Sequence, residues 1–479
     1  MLSSSSGRLV RFLNFMLCGI LLLTYCSLYS QNNFGKLKRD DAAKLLAKYI
    51  SFQSVQGNEG DAGRFLSKIC SDNGLNVKVF SEVDSAYNFA ASLYPLSSKK
   101  PNIIFLNHID VVPANDSADW KYPPFSGSIV NNEIWGRGSV DMKGQAIMQL
   151  MALLDYADSA KTKDYLYNIT LLSVSGEETN PENGSQMIAD KFITDLNPVA
   201  VFGEGGSGVK NFLTPDTAKS IFGISVAEKS VLWLKLDVYS ESFGHGAAPS
   251  ELYANKKLLR ALIKLLNEKK YSSFGKLQMS MFHQLGDLQG GLKGFIIKHI
   301  NWAIFWPFVK KQFAEGQPLN LLVYNTFSIT NISNPKGASN QIAEKASAVL
   351  DYRLLPGIDT AKFIHKIKNT VGPKVKISVI SSSPDALPTP QDKFYDALSA
   401  ALKEKYSDCL VMPILFPATT DNNYFRNKGI HVFGIVPVIL SQEALQSIHN
   451  KNEKLPVQSL YDGIEVFRNF IGKVFSGKF

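Results

Sequence analysis

The stretch NIIFLNHID, residues 102–110, decides the fold. Its first part, Asn102–Asn107, has a short apolar core of the kind found in strands that are buried on both faces of a parallel sheet. Two polar residues, His108 and Asp110, follow this run at once. Ligands of open α/β sheets bind beyond the carboxyl ends of the strands. His108 and Asp110 are therefore the first candidates for a functional site.

The same arrangement occurs twice more along the chain. Ile169–Ser175 and Val199–Phe202 are also predicted to be buried strands; Glu177 and Glu178 follow the first, and Glu204 follows the second. Such runs alternate with amphipathic helices, which is typical of an α/β fold with a mainly parallel sheet and helices on both faces. We therefore expect the acidic residues to gather at one edge of this sheet.

The pattern changes near residue 225. An alternating strand at Val231–Tyr239 is followed by a long helix at Asn255–Asn267 and a further strand at Ala346–Arg353. These elements predict a smaller α+β domain inserted into the larger one. The predicted segments are an N-terminal segment at 1–39, the first part of the large domain at 40–223, the inserted domain at 224–375, and the second part of the large domain at 376–479.

Length and composition indicate a folded protein of enzyme size. The chain has 479 residues, of which 45% are hydrophobic and 19% charged. This is too long for one ordinary core and too apolar for a disordered chain. The net charge is +9, but Lys and Arg are spread along the chain without a dense run. We therefore expect no nucleic-acid partner.

The N-terminus has the features of an export signal. Arg8 and Arg11 precede an apolar run at Phe12–Tyr29, and basic residues follow it. Its length lies between that of a signal-peptide core and that of a spanning helix. We expect an exported protein that is secreted, periplasmic or vacuolar and lumenal, or one anchored in the membrane by residues 12–29. In an oxidising compartment, Cys70 and Cys409 form a disulfide only if the fold brings them together.

A second apolar stretch, Gly291–Phe308, is rich in aromatic residues. Lys298, His299 and Asn301 interrupt it and Pro307 ends it, which argues against a transmembrane helix. We expect a buried or partly exposed lid helix, with a lipid-binding surface as the alternative.

Several of the polar residues have the chemistry of metal ligands. Catalytic zinc sites take nitrogen and oxygen ligands from His, Asp and Glu. In His108-Ile109-Asp110, strand alternation places both side chains on one side, so that Asp110 can accept the second imidazole N–H. Asp141 lies among glycines in GRGSVDMKG, residues 136–144, and its two oxygens are able to bridge two cations. A surface pair and a capped tight turn are the alternatives.

The adjacent carboxylates Glu177 and Glu178 repel each other unless cations or a proton compensate. One solution is that Glu178 binds metal while Glu177 stays free to move a proton; an exposed acidic loop is the alternative. Glu204 stands before two glycines, and His449 lies shortly before the last predicted helix. These residues complete a set of candidate ligands.

His245 differs from the other histidines because it lies in FGHGAAP, residues 243–249, within the predicted inserted domain. It reaches a metal site in the large domain only through domain closure or from a second subunit. A cationic imidazole in that place stabilises an oxyanion.

Together and in this order, these motifs resemble the zinc metallopeptidase family that includes aminoacylase, glutamate carboxypeptidase and succinyl-diaminopimelate desuccinylase. Within it, the chain looks most like Gly-X carboxypeptidase (carboxypeptidase S) and the secreted N-acyl-amino-acid amidohydrolases. The resemblance covers residue 40 to the end. It implies a catalytic large domain, an inserted lid or dimerisation domain, and two zinc ions, with cobalt or manganese as substitutes.

The resemblance also assigns roles to the candidate ligands. Asp141 would bridge the metals, His108 and Glu204 would complete one site, and Glu178 and His449 the other. Glu177 would be the general base and Asp110 would orient His108.

Further residues match substrate-binding segments of the family. His245 resembles a histidine that crosses a dimer interface to the scissile carbonyl. Asn340 and Arg353 match segments of the lid domain that contact the substrate, and Thr420 and Asp421 match a pair near the substrate carboxylate.

Two positions depart from the family pattern. Asn423 stands where many relatives have an arginine, which leaves the binding of the substrate carboxylate less well defined. Gly176 replaces an aspartate before the paired glutamates.

The predicted function is hydrolysis, by metal-activated water, of an amide bond adjacent to a free carboxylate. The substrate would be a small peptide or an N-acyl amino acid, and the family implies a homodimer. The aromatic-rich stretch suggests an apolar acyl group or side chain. A catalytically inactive metal- or ligand-binding protein of the same fold is the alternative.

Overall fold

The computed structural model describes residues 34–478 except positions 84, 180, 211–218, 241–243, 248, 250, 270–271, 316, 318 and 384. The chain divides into two compact units, Met1–Asp41 and Ala42–Phe479. The apolar run at 12–29 lies outside the described residues, and the described end of the first unit is a 3-10 turn at Arg39–Asp41. Within the described part of the chain, every helix is too short or too polar to cross a bilayer.

The second unit is built from two main sheets and the helices that cover them. The strands are β1 (Asn76–Val83), β2 (Ala86–Ser92), β3 (Asn102–His108), β4 (Ser128–Val130), β5 (Glu133–Trp135), β6 (Asn168–Val174), β7 (Pro198–Val209), β8 (Ile221–Glu228), β9 (Ser230–Tyr239), β10 (Thr326–Ser333), β11 (Lys345–Leu354), β12 (Val375–Ser382), β13 (Leu410–Phe416), β14 (His431–Ile439) and β15 (Lys454–Pro456).

The helices are α1 (Ala42–Ile50), α2 (Gly60–Asp72), α3 (Lys143–Ala160), α4 (Ser185–Lys191), α5 (Ile193–Leu196), α6 (Ala254–Leu266), α7 (Lys276–Gln289), α8 (Gly291–Lys298), α9 (Trp306–Val309), α10 (Asn320–Val323), α11 (Thr360–Val371), α12 (Lys393–Lys405), α13 (Asn422–Asn427), α14 (Gln442–Ser447) and α15 (Val457–Ser476). Short 3-10 helices cover Leu96–Ser98, Ser117–Asp119, Pro181–Asn183 and Lys310–Phe313.

The large sheet has eight strands in the order β1-β2-β6-β3-β7-β14-β8-β13. Strand β3 pairs in parallel with β6 and β7, and β7 pairs in parallel with β14. The β1–β2 edge is antiparallel. The predicted α/β fold with a mainly parallel sheet is therefore confirmed, and a third, small sheet joins β15, β5 and β4.

Helices cover both faces of the large sheet. Successive residues of β3 point to opposite faces, so Phe105 packs against Phe467 of α15 with ring centroids 5.0 Å apart, while Ile104 joins a cluster with Phe425 of α13 on the other face. The strand is buried at every position. Burial on both faces explains its nearly continuous apolar sequence.

The second sheet is antiparallel throughout, in the order β10-β11-β9-β12. Alternate residues of β9, from Leu232 to Val238, are buried against α6 and α11. This period of two is expected for a sheet with one covered face. A smaller α+β domain was predicted here, and the structure has a separate antiparallel sheet covered by helices. The domain limits at 224 and 375 stay a prediction.

The segment from α7 to α10 packs against the edge of the large sheet. Phe282, Ile300 and Phe313 form a buried cluster with Ile221 of β8 and Met412 of β13. The stretch predicted as one lid helix at Gly291–Phe308 forms α8 and the start of α9, separated by turns. Its exposed side chains are considered below.

The structure contains no disulfide between the two cysteines of the second unit. Cys70, which is buried in α2, and Cys409 are both free thiols.

Candidate active site

The predicted metal ligands meet at the carboxyl edge of the large sheet. His108 is the last residue of β3, Glu178 follows β6, and Glu204 lies in β7. These side chains converge because β3 pairs in parallel with both other strands. Asp141 lies two residues before the start of α3, and His449 lies between α14 and β15.

The Asp141 carboxylate lies between two imidazoles. Its Oδ1 is 3.0 Å from His108 Nε2, and its Oδ2 is 3.0 Å from His449 Nε2. Glu178 Oε1 lies 3.0 Å from His449 Nε2, and Glu204 Oε2 lies 3.7 Å from His108 Nε2. The side chains thus form two three-residue groups that share Asp141.

The spacing and chemistry of these donors fit a pair of divalent cations. Ligand atoms about 2.0–2.2 Å from a tetrahedral ion lie about 3.3–3.6 Å from one another. The separations of 3.0 Å at Asp141 and 3.7 Å at Glu204 lie just outside this range on either side. The donors are the nitrogen and oxygen atoms that such ions take in catalytic sites. Negative charge is in excess, because Glu177 joins Asp141, Glu178 and Glu204 around only two histidines.

Two of the carboxylates have raised pKa values in this buried and crowded group. Burial, followed by the nearby Asp141 carboxylate, raises the pKa of Glu204 to about 7. Burial and then Glu204 raise the pKa of Glu177 well above its usual value. Cations in the site would compensate the charge that the protein groups leave unbalanced.

The pKa values of the two histidines are raised as well, which favours their charged form. Burial disfavours the charged form of His108, but hydrogen bonds to Asp141 and Glu204 outweigh it and raise the pKa well above the usual value. Hydrogen bonds to Asp141 and Glu178 raise the pKa of His449 to about 10. A metal ion would replace these protons, since a coordinating imidazole is neutral.

Asp110 performs a different task from the one expected of its carboxylate. His108 Nδ1 lies 2.9 Å from the backbone oxygen of Asp110 and 3.8 Å from its Oδ1. The carboxylate instead accepts hydrogen bonds from the backbone N–H groups of Gly176, Glu177 and Glu178, at 2.8, 3.2 and 2.9 Å. The expected hydrogen bond to the carboxylate is therefore replaced by one to the backbone, because the carboxylate is occupied by the Gly176–Glu178 turn.

Glu453 was not singled out from the sequence. Its carboxylate accepts hydrogen bonds from the N–H groups of Gly138, Val140 and Asp141, at 3.1, 2.9 and 3.2 Å, and from Arg137 Nη1 at 2.7 Å. Gly138 adopts a φ of 85°, which suits glycine. Glu453 follows His449 by four residues, but no local pattern indicates a partner more than 300 residues away.

A cavity of about 660 Å³ opens beside the candidate metal ligands. Glu177, Arg353, Thr420 and Asp421 line it. Arg353 lies in β11 of the four-stranded antiparallel sheet, where Asp351 fixes its guanidinium through contacts of 2.9 and 3.0 Å. The cavity thus brings a fixed cation into the space beside the metal-ligand cluster.

Thr420 and Asp421 are engaged with buried protein groups. Thr420 Oγ1 donates to Glu228 Oε1 at 3.1 Å, and Ser185 Oγ donates to Asp421 Oδ1. Burial raises the pKa of Asp421 to about 7. Asn422 Nδ2 donates to the backbone oxygen of Glu204 at 2.7 Å, which links this turn to a candidate metal ligand.

His245 and Asn340 lie together but outside the cavity. Asn340 Nδ2 is 3.1 Å from His245 Nε2, and both side chains are exposed. Backbone pairing between His245 and Gln341 holds the two loops together. The structure therefore unites two of the predicted substrate contacts without bringing them to the metal ligands.

Known proteins resemble this chain over most of its length. It is 25% identical over 460 residues to probable carboxypeptidase S-like 2 of Dictyostelium discoideum, covering 92% of this chain and 86% of the relative. It is 26% identical over 435 residues to N-fatty-acyl-amino acid synthase/hydrolase PM20D1 of Mus musculus, covering 88% and 84%.

A solved structure, that of an M20 family metallo-carboxypeptidase from Sulfolobus solfataricus, matches with a TM-score of 0.65 and 20% identity over 90% of this chain and 98% of that chain, which shows the shared fold. The sequence model of peptidase family M20/M25/M40 matches residues 104–473. The chain belongs to this family and is a hydrolase.

Proposed function

We propose that the protein hydrolyses an amide bond next to a free carboxylate, in N-acyl amino acids or small peptides, and that it uses two divalent cations, zinc first among them. The observation that carries the proposal is the Asp141 carboxylate, whose two oxygens face two different histidines at 3.0 Å. When bound, a pair of cations lowers the pKa of a water molecule and polarises the carbonyl of the substrate.

Asp141 is the residue that would belong to both metal sites. His108 and Glu204 would complete the first site, and Glu178 and His449 the second. Support comes from the two groups of donors that converge on Asp141.

Glu177 is the proposed general base. It lines the cavity beside the metal-ligand cluster, and Asp110 fixes its backbone. Burial and the neighbouring Glu204 raise its pKa, which makes it a better proton acceptor than an ordinary glutamate. Glu177 would take a proton from the attacking water and deliver it to the leaving nitrogen.

Arg353 is the proposed partner of the substrate carboxylate. A guanidinium binds a carboxylate through two parallel hydrogen bonds, and Asp351 already fixes the orientation of this one. Its place in the cavity supplies the positive charge that is missing at Asn423. Thr420 and Asp421 would shape the same end of the cavity.

His245 and Asn340 would act on the scissile carbonyl after a domain movement or from a second subunit. They already form a hydrogen-bonded pair at the surface, which would present the imidazole and the amide together. A homodimer is part of this proposal.

An apolar acyl group is the proposed feature of the substrate. Trp233, Phe416, Leu440, Leu445 and Ile448 line the cavity. Apolar surface that they remove from water stabilises the complex by about 25 cal/mol per Å². The PM20D1 relative is named for N-fatty-acyl amino acids, which agrees with such a pocket.

Export is also part of the proposal, on the basis of the apolar run at residues 12–29. The protein would act in a secreted or lumenal space, or at a membrane that this run anchors.

The test compares Glu177→Gln with Glu178→Gln in the zinc-loaded protein. Bound zinc is measured by mass spectrometry. The value of kcat/KM is measured with N-lauroyl-leucine and with N-acetyl-leucine as substrates. We expect Glu177→Gln to keep two zinc ions and lose about 10²–10⁴-fold in kcat, whereas Glu178→Gln loses zinc. Glu182→Gln is the matched control, because this glutamate is exposed in the 3-10 helix Pro181–Asn183 that follows.

Full turnover by the Glu177→Gln protein with both zinc ions in place would refute the assigned base. Equal kcat/KM for the lauroyl and acetyl substrates would refute the apolar acyl pocket. If the C-terminal amides of these N-acyl-leucines were turned over at the same rate as the free acids, the proposed role of the substrate carboxylate would be refuted.

A further inference from the structure

The segment from Gly291 to Lys311 carries a group of large apolar side chains on its outer side. Their exposed fractions are 76% for Leu292, 45% for Phe295, 47% for Trp302, 69% for Ile304 and 74% for Phe308. We propose that this group, called here the 291–311 face, binds the surface of an anionic lipid bilayer. The proposal concerns a binding site separate from the metal centre.

Ring contacts connect the aromatic part of the face. Phe295 and Trp302 contact each other edge to face, with ring centroids 6.2 Å apart, and Trp302 stacks on Phe305 at 5.9 Å. Contiguous exposed apolar surface of this kind marks an interaction site, since single exposed apolar residues are ordinary.

The other side of the same segment is fixed to the large sheet. Ile300 and Phe313 are buried in the cluster that includes Ile221 of β8 and Met412 of β13. The segment therefore has a core of its own, which buries its inner side chains. Lack of a core does not explain why the aromatic side chains are exposed.

The charge of the face matches an anionic surface. From Leu288 to Ala314 the sequence has four lysines and neither aspartate nor glutamate. Lys293, Lys310 and Lys311 are exposed, whereas Lys298 pairs with Asp287 of α7. Segments that lie in the interface of a bilayer with anionic lipids combine Trp, Phe and Leu with Lys, as this segment does.

Lipid is favoured over a second copy of the chain. A symmetric dimer through this face would bring the lysines of both copies together, and like charges repel. The exposed fractions of the apolar side chains run from 45% to 76%, so they suit insertion between headgroups better than packing in a groove. Helix α8, with eight residues, is suited to lie in the interface and not to span the bilayer.

The test uses the full chain and vesicles of phosphatidylcholine with or without 30% phosphatidylserine. Binding is measured by cosedimentation for the wild type and for the triple variant Trp302→Ser, Ile304→Ser, Phe308→Ser. We expect the partition coefficient for the vesicles that contain phosphatidylserine to fall at least tenfold in the variant. The matched control is Leu259→Ser, Ile263→Ser, Leu266→Ser on α6, whose side chains are 53%, 53% and 56% exposed, and it should bind as the wild type does.

A second measurement separates this face from the N-terminal apolar run. Brominated lipids quench tryptophan that enters the bilayer, so we expect strong quenching in the wild type and clearly less in Trp302→Phe. Binding without any difference between these two proteins would overturn the proposal, because the N-terminus alone would then hold the protein.

Further controls distinguish a changed surface from a changed fold. The triple variant should keep its thermal midpoint and its turnover of N-acetyl-leucine in solution. Equal binding to vesicles with and without phosphatidylserine would overturn the electrostatic part. A dimer of the wild type that dissociates in the triple variant, without vesicle binding by either protein, would assign the face to a second copy instead.

Discussion

Replacing Glu453 by glutamine removes the negative charge that holds the turn carrying Asp141. The carboxylate is fully buried, as is its partner Arg137, and three backbone N–H groups of the turn donate to it. In the glutamine variant one oxygen becomes an NH₂ group that faces N–H donors. Arg137 then remains buried without a compensating charge.

The expected effects follow from these contacts. Breaking a buried ion pair by removing one partner costs about 3–5 kcal/mol in the free energy of unfolding. The turn also loses the acceptor that fixes the Asp141 backbone. Loss of such support behind a ligand weakens metal affinity by about 10–100-fold.

The stability assay is urea unfolding in the presence of a chelator, which removes the contribution of bound metal. Glu453→Gln, Arg137→Met and the double variant form a double-mutant cycle. We expect the double variant to be clearly less destabilised than the sum of the two single variants, since each single variant leaves a charge unpaired. Zinc affinity is measured separately, by competition with a chromophoric chelator.

Glu443→Gln is the control, because Glu443 pairs with Lys454 but its side chain is 76% exposed. Its effect on the free energy of unfolding should stay within about 0.5 kcal/mol. A Glu453→Gln protein destabilised by less than about 1 kcal/mol, or a cycle with no coupling to Arg137, would refute the reasoning.

Three more outcomes are expected. Phe105→Ala should lower the free energy of unfolding by about 3–5 kcal/mol, because its ring packs between the sheet and Phe467; a loss below 1 kcal/mol in urea unfolding would contradict this packing. Asp110→Asn should lower the thermal midpoint and kcat/KM together, since its carboxylate holds the backbone of residues 176–178; an unchanged midpoint would exclude that role. In chelator-treated protein the pKa of His449 is about 10, against about 6.5 unfolded, so its contribution to stability is complete below pH 6.5 and lost as the pH rises towards 10. His449→Gln should flatten this decline, and an equal slope in both proteins would refute it.

The sequence predicted the convergence of three ligands for a physical reason. His108, Glu178 and Glu204 stand at or just beyond the ends of apolar runs, and such runs are readable because both faces of a parallel strand are buried. Parallel pairing then brings their carboxyl ends to one edge. Asp141 and His449 lie in loops, so no strand end marked them. Their residue types and the glycines around Asp141 made them candidates, and the family resemblance then gave each of them a role.

Other features depend on contacts that leave no periodic trace in the sequence. The carboxylate and the backbone oxygen of Asp110 are both possible acceptors for the second ring nitrogen of His108. Only the folded turn decides between them. Glu453 lies more than 300 residues after Val140 in the chain. The packing of the Gly291–Phe308 stretch on β8 and β13, instead of over the cavity, likewise reflects which apolar surface lies nearest.

Three buried carboxylates support the metal-ligand cluster without joining it. Asp110 holds the turn of Glu178, Glu453 holds the turn of Asp141, and Glu228 accepts from the side chain of Asn422, which donates to the backbone oxygen of Glu204. In each case the hydrogen bonds involve backbone groups of the chain segment that carries the candidate ligand, directly or through Asn422. The carboxylate oxygens of Glu178, Asp141 and Glu204 therefore stay free for a cation. Supports of this kind orient acidic ligands that would otherwise repel one another. The site geometry is therefore set largely by the protein before a cation arrives, which is why a single buried glutamate such as Glu453 should affect both folding and metal affinity.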